Sequence, residues 1–472
     1  MVFITIIKKS YFEKMMNPSI AIAATERSRQ QSILSISDGD YSLLTDLYQL
    51  TMSACYVGES LDRSAASFEL FVRKLPKGFG YLIAMGLVQA LEYLERLQFS
   101  SAQIEALQAT GIFKNAPDRF WELLATARFT GEVWAVPEGT AIFANEPIMR
   151  IEAPLWQAQL VETYLLNAIN YQTLIATRAA RLRDVAGFEA TLLEFGTRRA
   201  FSPQASIWAA RAAIAGGLDT TSNVLAALKL GYQPSGTMAH SLVMAIDAKE
   251  GSEQAAFKAF HRYFPGAPLL IDTYDPIAAA TELAKQVAAG EIELSGIRLD
   301  SGDLISLSQQ VRAILPNVDI FASGDLDEWE IAKLRAAKAP INGYGLGTKL
   351  VTGSPVNGVY KLVEIDNIPT MKRSTDKMTY PGKKQIFRQF KDGKFIGDTL
   401  GLASEGTGLL ELVMSKGDWL QPEESLATIR KRTDLNVANL STEVRDINYD
   451  GTTPVRISSA LSELTQTLKN RT

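Results

Sequence analysis

Between residues 190 and 350 this chain repeats one pattern: a short apolar run ends in a segment rich in glycine, acidic residues or arginine. The segments recur roughly every twenty to forty residues, the length of a β-strand with its covering helix. They are Glu194–Arg199, Ser235–Ser241, Asp272–Asp275, Arg298–Asp303, Ser323–Asp325 and Tyr344–Lys349. Buried parallel strands are continuous apolar runs, and functional groups collect at their carboxyl ends. The pattern predicts an α/β fold with one ring of polar loops, suited to a phosphorylated, metal-bound anionic substrate.

Composition limits what those loops can hold. The chain has 472 residues, of which 46% are hydrophobic and 21% charged, and its net charge of −4 argues against a surface that coats nucleic acid. The single cysteine, Cys55, excludes an intrachain disulfide framework. Two histidines, His240 and His261, exclude a multi-histidine metal centre. A hard cation such as Mg²⁺, held by carboxylates and substrate phosphates, stays compatible with this composition.

The patterns along the chain predict four segments. They are a poorly specified N-terminal tail (1–38), the first part of an α+β companion domain (39–155), a β/α barrel that holds the polar loops (156–353), and a return to the companion domain with a C-terminal segment (354–472). No apolar stretch is long and charge-free enough to cross a bilayer. Lys8 and Lys9 follow the apolar run Val2–Ile7, the reverse of the order in a secretory signal. We therefore expect a cytoplasmic protein without a membrane or nucleic-acid partner.

Local periodicity predicts individual elements. A helix is predicted in Tyr41–Met52 with Thr45 as its N-cap, and the basic stretch Met371–Lys377 is predicted to be a hairpin or loop. Further helices are predicted within Gly78–Leu97 and over Leu155–Arg183, Ala209–Ala215, Ser222–Leu230, Pro276–Ala289 and Leu304–Ile314. Strands are predicted over Ala66–Val72, within Gly131–Ile151 and over Val359–Ile365.

The last two polar segments are rich in glycine. Ser323-Gly324-Asp325 and Gly345-Leu346-Gly347-Thr348 each follow an apolar run and precede a predicted helix. Glycine lets backbone N–H groups approach a phosphate, and a helix N-terminus adds partial positive charge. The loops after the final strands of β/α barrels often hold phosphate. As a pair, these segments favour a phosphate site over two tight turns without a ligand.

Acids and arginines supply the other groups. Arg298 and Asp300 alternate along one predicted strand and so share a face, where they could grip a phosphate and a magnesium ion or ribose hydroxyl. Asp272 and Asp275 follow the preceding apolar run and could hold ribose hydroxyls or magnesium. The alternatives are a structural ion pair for Arg298 and Asp300, and helix capping for Asp275 and Asp303.

An aromatic residue and a histidine complete the candidates. Phe195 could stack on a flat ring, and the adjacent Arg198 or Arg199 could bind a carboxylate or phosphate through two hydrogen bonds. His240 follows a glycine turn and could act as a general base or as a nucleophile that accepts a phosphoryl group. A lone histidine is more often structural, and His261 on a helical stretch is interpreted as ordinary packing.

Taken together, these motifs resemble the nicotinate phosphoribosyltransferase family. The resemblance extends in order from about residue 41 to residue 390 and is weak after about residue 400. Its pieces are Leu43–Met52, Phe68–Phe71, Glu194–Arg199, Gly216–Asn223, Gly236–Ser241, Asp300–Asp303, Gly345–Thr348, Val359–Leu362 and Pro381–Lys384. The resemblance implies an irregular β/α barrel with an open-faced α+β companion domain, in a homodimer whose active sites lie at the subunit interface.

The resemblance also implies the reaction. Nicotinate and phosphoribosyl pyrophosphate, with ATP and water, would give nicotinate mononucleotide and pyrophosphate, with ADP and phosphate, as the first step of NAD salvage from nicotinate. Magnesium would assist the displacement at the anomeric carbon. By similarity, nicotinate would lie between Phe195 and the partner's Tyr48, with Thr197 and Ser241 as further substrate-binding residues.

Roles for the charged residues follow from the same resemblance. Arg198 and Arg298 would face the nicotinate carboxylate or the phosphates, and His240 would be the transiently phosphorylated histidine. Asp300 and Asp272 would face the ribose or magnesium. The 5′-phosphate would lie against the two glycine-rich segments, at Ser323, Gly324, Gly345, Gly347 and Thr348. Asp219 is also assigned to the site, but an acid would repel the nicotinate carboxylate, so we expect it to orient a histidine or arginine.

Three other functions stay open at this stage. A related transferase could act on nicotinamide or quinolinate, although paired Arg198 and Arg199 favour an acid over the amide and coupling to ATP would argue against quinolinate. Another phosphate-binding barrel enzyme, an aldolase or isomerase, would need a lysine or glutamate at a strand end, where Lys349 is the lysine candidate. A non-enzymatic binding protein would hold phosphoribosyl pyrophosphate without turnover.

Overall fold

The protein is described here from a computed structural model that covers residues 34–374, 378–452 and 454–470. Most of the predicted tail (1–38) and part of the basic stretch Met371–Lys377 lie outside the described residues.

Helices are α1 (Leu47–Gly58), α2 (Leu87–Glu95), α3 (Ser101–Ala109), α4 (Asp118–Ala125), α5 (Leu155–Leu160), α6 (Glu162–Ala186), α7 (Pro203–Gly216), α8 (Val224–Leu230), α9 (His240–Glu250), α10 (Glu253–Tyr263), α11 (Pro276–Ala288), α12 (Leu304–Ile314), α13 (Glu328–Ala336), α14 (Thr348–Val351), α15 (Leu426–Asn439), α16 (Thr442–Arg445) and α17 (Ser459–Asn470).

The strands between residues 191 and 346 have at most four residues each, and the longest strands lie before and after them in the sequence. They are β1 (Ala65–Val72), β2 (Leu82–Ile83), β3 (Glu132–Ala135), β4 (Ala141–Ile142), β5 (Pro147–Pro154), β6 (Thr191–Glu194), β7 (Thr220–Thr221), β8 (Leu269–Leu270), β9 (Gly296–Leu299), β10 (Asp319–Ala322), β11 (Gly343–Leu346), β12 (Gly358–Ile365), β13 (Ile368–Pro369), β14 (Lys384–Lys391), β15 (Lys394–Leu402), β16 (Glu411–Ser415), β17 (Asp418–Trp419) and β18 (Val455–Ile457).

The repeated strand and helix pattern forms a parallel sheet in the order β7-β6-β11-β10-β9-β8. Its register places Phe321 between Gly343 and Arg298, so the side-chain positions of these three residues share one face. The intervening Ile320 and Ala322 are fully buried on the opposite face. The α/β class is therefore confirmed. No pairing joins β7 to β8 in the described part of the chain, and closure into an irregular barrel stays a prediction.

An antiparallel sheet forms the other large layer, in the order β13-β12-β1-β5-β3-β16-β17. β1 lies inside this sheet, pairing with β5 on one side and β12 on the other. Strands from before and after the parallel sheet in the sequence therefore share one sheet. The domain boundaries at residues 38, 155 and 353 themselves stay predictions.

The long helix α6 supports both sheets. It contacts α7 and α13 on the side of the parallel sheet, and β2 and β12 on the other side. Its contact with α7 is close: a methyl group on Gly216 would lie 2.7 Å from Cβ of Ala179. The helix ends at Gly187, whose φ of 79° is left-handed and favours glycine.

Most predicted elements are found, and one local prediction is wrong. Asp46, not Thr45, occupies the N-cap position of α1, because the Thr45 hydroxyl is used in a long hydrogen bond of 3.4 Å to the carbonyl of Leu160. The helix predicted within Gly78–Leu97 is confirmed as α2, and the segment before it, Tyr81–Met85, is buried in the core around β2. Asp275 and Asp303 do cap α11 and α12 through their carboxylates.

Candidate active site

The carboxyl ends of the parallel strands bring the predicted polar residues together. Asp272 follows β8, Asp300 follows β9, and Ser323 follows β10. The Ser323 N–H donates to the Leu299 carbonyl at 2.9 Å, which continues the sheet register by one residue. Because parallel strands end at the same edge, residues 28 and 23 positions apart in sequence touch one another here.

Arg298 is the centre of this cluster. Its Nε donates to Oγ of Ser323 at 2.7 Å and its Nη2 to Oδ1 of Asp300 at 2.6 Å. Its Nη1 donates to Oγ1 of Thr237 at 3.1 Å. Cζ lies 5.6 Å from the ring centroid of Phe195, within cation–π range. The guanidinium therefore links residues that follow β6, β9 and β10 with the segment Ser235–Ser241, and keeps a positive charge against an aromatic face.

The two carboxylates beside Arg298 have different environments. Burial raises the pKa of the Asp300 carboxyl, but the hydrogen bond from Ser323 and the Arg298 guanidinium outweigh burial, so that pKa lies below the usual value for aspartate. Oδ2 of Asp272 accepts from the Asp300 N–H at 2.7 Å and from Oγ of Ser301 at 2.9 Å. Oδ1 of Asp272 is buried and has no hydrogen-bond partner among the described residues.

His240 lies directly above these carboxylates. Its Nδ1 is 3.1 Å from Oγ1 of Thr273, while its Nε2 is 3.9 Å from Oδ1 of Asp272 and 4.0 Å from Oδ2 of Asp300. The side chain is 39% exposed. Nδ1 is thus occupied by a hydroxyl, while Nε2 faces the two carboxylates across a gap that is too long for a hydrogen bond.

Phe195 lies on the other side of the cluster, against two glycine positions. Its N–H donates to the Leu346 carbonyl at 2.7 Å, and a methyl group on Gly345 would lie 2.6 Å from its ring. Gly345 is inside β11, where it makes room for this ring. The preceding Glu194 is buried, and burial raises the pKa of its carboxyl against hydrogen bonds from Thr221 and Gly196.

The remaining glycine positions lie at strand ends. Gly347 occupies the N-cap position of α14, with Thr348 as the first helical residue. Gly324 has a φ of 95°, and a side chain there would collide with the carbonyl of Asp300. Both glycines thus allow the backbone to turn tightly beside the cluster, as a phosphate-binding loop requires.

Other predicted residues are near the rim but make no contact with the cluster. Thr197, Arg198 and Ser241 are exposed. Tyr48 lies on α1 and is 47% exposed. In the described part of the chain, its ring does not stack on the Phe195 ring of the same chain. The structure of one chain therefore leaves the face of Phe195 without the second aromatic wall that the resemblance implies.

Asp219 does not belong to this cluster. It precedes β7 and lies beside Leu192, near the amino ends of the strands. Its carboxylate accepts from Arg183 at 2.7 Å and Arg430 at 2.9 Å. Burial raises the pKa of Asp219, but the Leu192 N–H and the two guanidinium groups outweigh it, so that pKa is lowered. The expectation that it orients an arginine is met, whereas its assignment to substrate is not supported by this position.

Sequence reasoning missed the residues that hold the last loop. Arg178 on α6 donates through Nη1 to the carbonyls of Lys349 and Thr352. Tyr171, two turns earlier, donates to the carbonyl of Val351 at 3.1 Å. Both face the carboxyl end of α14, so the N–H groups at its amino end point away from them. The sequence signal that could have indicated them is the seven-residue spacing of Tyr171 and Arg178, which places both on one face of a mostly buried helix.

Arg73, at the end of β1, was also missed. Its Nε and one Nη are buried and have no hydrogen-bond partner in the described ranges. Cζ lies 5.9 Å from the Phe71 ring. Two buried guanidinium nitrogens without an acceptor are unusual, because desolvating charged donors is costly. Its position in one strand of the antiparallel sheet gave no warning of this.

The donor set fits a magnesium ion held mainly by substrate. The described residues contain no cluster of three or more His, Cys, Asp or Glu side chains that could hold a metal ion by themselves. Oδ1 of Asp272 is free to bind, and Oδ2 of Asp300 lies near the same gap beside His240. Carboxylate oxygens are the ligands that Mg²⁺ prefers, and it commonly takes one or two of them together with phosphate oxygens and water.

A larger cavity lies elsewhere, in the companion layer. It has a volume of about 650 Å³ and is lined by Trp134, Arg150, Glu152 and Lys383, among others. These charges are paired with one another: Glu152 accepts from Arg150 and Lys383, each at 2.8 Å. We place the candidate active site at the strand ends instead, because charged groups there converge on an open gap.

No helix within the described ranges is long and apolar enough to span a membrane.

A parallel sheet that collects histidine, carboxylates, an arginine and glycine turns at its carboxyl ends defines an α/β enzyme acting on an anionic substrate. Comparison with known proteins then identifies the family. The nicotinate phosphoribosyltransferase N-terminal domain model matches residues 43–170, and the nicotinate phosphoribosyltransferase family model matches residues 190–324.

Individual relatives agree with the family models. A nicotinate phosphoribosyltransferase of Mycobacterium tuberculosis is 42% identical over 436 residues, covering 89% of this chain and 92% of the relative. The human nicotinate phosphoribosyltransferase is 33% identical, covering 91% and 96%. A crystal structure of the human enzyme superimposes with a TM-score of 0.79 and 30% identity, over 90% of this chain and 99% of that one. The chain belongs to the nicotinate phosphoribosyltransferase family.

Proposed function

We propose that this protein joins nicotinate to phosphoribosyl pyrophosphate, giving nicotinate mononucleotide and pyrophosphate, with ATP hydrolysed to ADP and phosphate. The reaction would serve NAD salvage, in the cytoplasm. The observation that supports it best is the cluster of Arg298, Asp300, Asp272 and His240 at the strand ends of a chain from this family.

The chemistry asks for charge stabilisation more than for a covalent intermediate. As the anomeric C–O bond breaks, positive charge builds on the sugar and negative charge on pyrophosphate, and the ring nitrogen of nicotinate takes the vacated position. Asp300, ionised and fixed by Arg298, can face the positive ribose. Magnesium, bound with help from Asp272, would offset the charge on the leaving group. The N–H groups at the start of α14 can hold the 5′-phosphate.

Selectivity for the acid over the amide follows from the guanidinium beside Phe195. A nicotinate ring stacked on Phe195 lies within reach of Arg298, which can pair with its carboxylate. Nicotinamide would lack this second charge-assisted pair and leave Arg298 with Asp300 as its anionic partner, so it should bind more weakly than nicotinate. We propose that exposed Arg198 adds to this field from the rim.

The role of ATP is assigned to His240. With Nδ1–H donating to Thr273, the lone pair of Nε2 can attack the γ-phosphorus of ATP, forming an N–P bond as the bond to ADP breaks. Water later cleaves the N–P bond and releases phosphate. While it lasts, phosphohistidine would order the neighbouring loops around phosphoribosyl pyrophosphate and Mg²⁺.

His240→Ala should therefore lose phosphoenzyme formation and ATP stimulation while a slow ATP-independent transfer persists. Labelled phosphate transferred from γ-labelled ATP measures the first effect, and product formation with and without ATP measures the second. His261→Ala, which removes the other histidine, is the matched control and should behave as wild type. Phosphoenzyme in His240→Ala would end this assignment.

The shared site is proposed from surfaces that one chain leaves bare. Leu44, Leu47 and Tyr48 form an exposed apolar group at α1. Near the strand ends, Phe201 and the α8 residue Leu228 are also exposed. Large apolar patches of this kind commonly mark interfaces. In a homodimer, the partner's Tyr48 could cover the open face of Phe195.

A base-dependent release assay tests the whole proposal. Pyrophosphate release should require nicotinate and phosphoribosyl pyrophosphate, should rise with ATP, and should stop when magnesium is chelated. Nicotinamide and quinolinate, assayed beside nicotinate, should react far more slowly. Faster release with either of them, or none with any base, would reject the function proposed here. A borohydride-trapped adduct at Lys349 would point instead to Schiff-base chemistry.

A further inference from the structure

A small cavity continues from the candidate site into the interior of the parallel sheet. Its volume is about 90 Å³. Phe195 and Arg298, already assigned to the site, line this cavity together with the strand residues Thr191, Leu193 and Phe321. A ring that stacks on Phe195 beside Arg298 therefore meets this cavity below it.

One wall of the cavity is formed by the ring of Phe321, with Pro268 nearby. Phe321 stands on the inner face of β10, paired in register with Gly343 on one neighbouring strand and Arg298 on the other. A methyl group on Gly343 would lie 2.8 Å from two atoms of the Phe321 ring, and one on Gly296 would lie 3.0 Å from it. The ring thus occupies the space that side chains at both glycines would otherwise fill.

This arrangement separates Phe321 from the structural core of its strand. Ile320 and Ala322, on the opposite face, are 0% and 1% exposed, whereas Phe321 is only half-buried because its ring faces the cavity. The outer core is therefore complete without this ring. What the ring does is block the route from the base site into the sheet interior.

We propose that Phe321 is a specificity-determining residue that sets the depth of the base pocket. This rests on the proposed function, since it names what limits the aromatic acid that the site accepts. With the ring in place, a single six-membered ring fits, and a substituent or fused ring directed into the sheet collides with it. With a smaller side chain, no neighbour takes over its space, because glycines flank it on both sides.

The test compares Phe321→Leu and Phe321→Ala with wild type on nicotinate and on nicotinates that carry a methyl group, an ethyl group or a fused benzene ring at each free ring position. The readout is the ratio of kcat/KM for the substituted acid to kcat/KM for nicotinate. At one ring position at least, this ratio should rise tenfold or more. Phe257→Leu, which shortens a fully buried phenylalanine of the outer core, is the matched control and should leave every ratio unchanged.

A binding measurement keeps the inference separate from the proposed function. Phe321→Ala should bind benzene in the enlarged cavity, seen as a rise in thermal midpoint that wild type lacks, whether or not the protein turns over nicotinate. Absence of nicotinate turnover in wild type would defeat the proposed function, and with it the assignment of this cavity to a base. With turnover intact, unchanged ratios in a folded Phe321→Ala would overturn the inference, with or without benzene binding.

Discussion

At the scale of single residues, one strongly shifted carboxyl group lies outside the candidate site. Glu146 is fully buried beside Asp398, whose carboxylate accepts two hydrogen bonds from Arg388. Burial first, and the charge of Asp398 second, raise the pKa of Glu146 well above the usual value for glutamate. Oε1 of Glu146 has no hydrogen-bond partner in the part of the chain described. At a pH between the unfolded and folded pKa values, the folded protein therefore holds a proton here that the unfolded chain releases.

The sign of the resulting pH dependence follows from linkage. A raised carboxyl pKa contributes stability that is fully present below the unfolded pKa and is lost as pH rises toward the folded pKa. Glu146→Gln removes this loss. Its free energy of unfolding relative to wild type should therefore increase by at least about 1 kcal/mol between pH 5 and pH 8.

Urea denaturation of both proteins at the two pH values checks this prediction. The exposed Glu463→Gln is the control, and its difference from wild type should be the same at both pH values. An equally constant difference for Glu146→Gln would show that Glu146 ionises normally in the folded protein.

At the scale of elements, the structure shows how the long helix α6 holds the loop that contains α14. Tyr171 and Arg178 of α6 donate hydrogen bonds to carbonyls at the end of α14. Burial lowers the pKa of Arg178, and the carbonyl oxygens of Lys349 and Thr352 accept hydrogen bonds from its guanidinium. The left-handed Gly353 lies under the guanidinium, where a side chain would collide with it.

Arg178→Ala should accordingly weaken the phosphate side of the site. We expect the KM for phosphoribosyl pyrophosphate to rise roughly tenfold, because at least one charge-assisted hydrogen bond is lost, while the KM for nicotinate stays nearly constant. Steady-state kinetics with each substrate varied in turn measure the split. Arg178→Lys keeps the positive charge but loses the planar guanidinium that reaches two carbonyls, so its KM for phosphoribosyl pyrophosphate should lie between those of wild type and Arg178→Ala. Equal increases in both KM values would mean that the residue supports the fold only.

Strand and helix predictions succeeded where the controlling interactions are local. Asp303 caps α12 and Asp275 caps α11 because each carboxylate reaches N–H groups two and three residues ahead. Thr45 failed as a cap because its hydroxyl reaches Leu160, a residue 115 positions away. Local sequence reasoning cannot anticipate such a partner.

At the scale of the whole molecule, one buried arginine links distant segments. Arg181 on α6 donates to Glu328 at 2.9 Å, to the Gly78 carbonyl at 2.9 Å and to the Ile447 carbonyl at 3.0 Å. Its side chain is 1% exposed, and its guanidinium lies 4.4 Å from the Phe79 ring centroid. One cation therefore joins the end of the chain to both layers.

Arg181→Ala should lower the free energy of unfolding by about 3–5 kcal/mol, because Glu328 is left buried and unpaired. Chemical denaturation measures the loss. The double variant Arg181→Met, Glu328→Leu should recover part of it, since neither charge then remains. A loss below about 1 kcal/mol in the single variant would contradict a buried, uncompensated Glu328.

The shared active site is tested by mixing two inactive proteins. Tyr48→Ala and Asp300→Asn should each be nearly inactive alone if Tyr48 acts on the partner's site. In an equal mixture that exchanges subunits, half of the dimers are mixed, and one of their two sites is intact, so about a quarter of wild-type activity should return. Activity that stays at the level of the single variants would place Tyr48 and Asp300 in the same chain's site, or neither in any site.

The amino-acid sequence by itself determined the order of strands and helices, the polar ends of the parallel strands and the family, because these depend on patterns that neighbouring residues carry. It also brought Arg298, Asp300, Asp272 and His240 to one edge, since parallel strands end together. Only the tertiary structure decided that Asp219 faces the opposite end, that Gly345 makes room for Phe195, and that Arg178 holds α14. Those outcomes depend on contacts between residues 27 to 174 positions apart, where packing and burial, not local pattern, choose the partner.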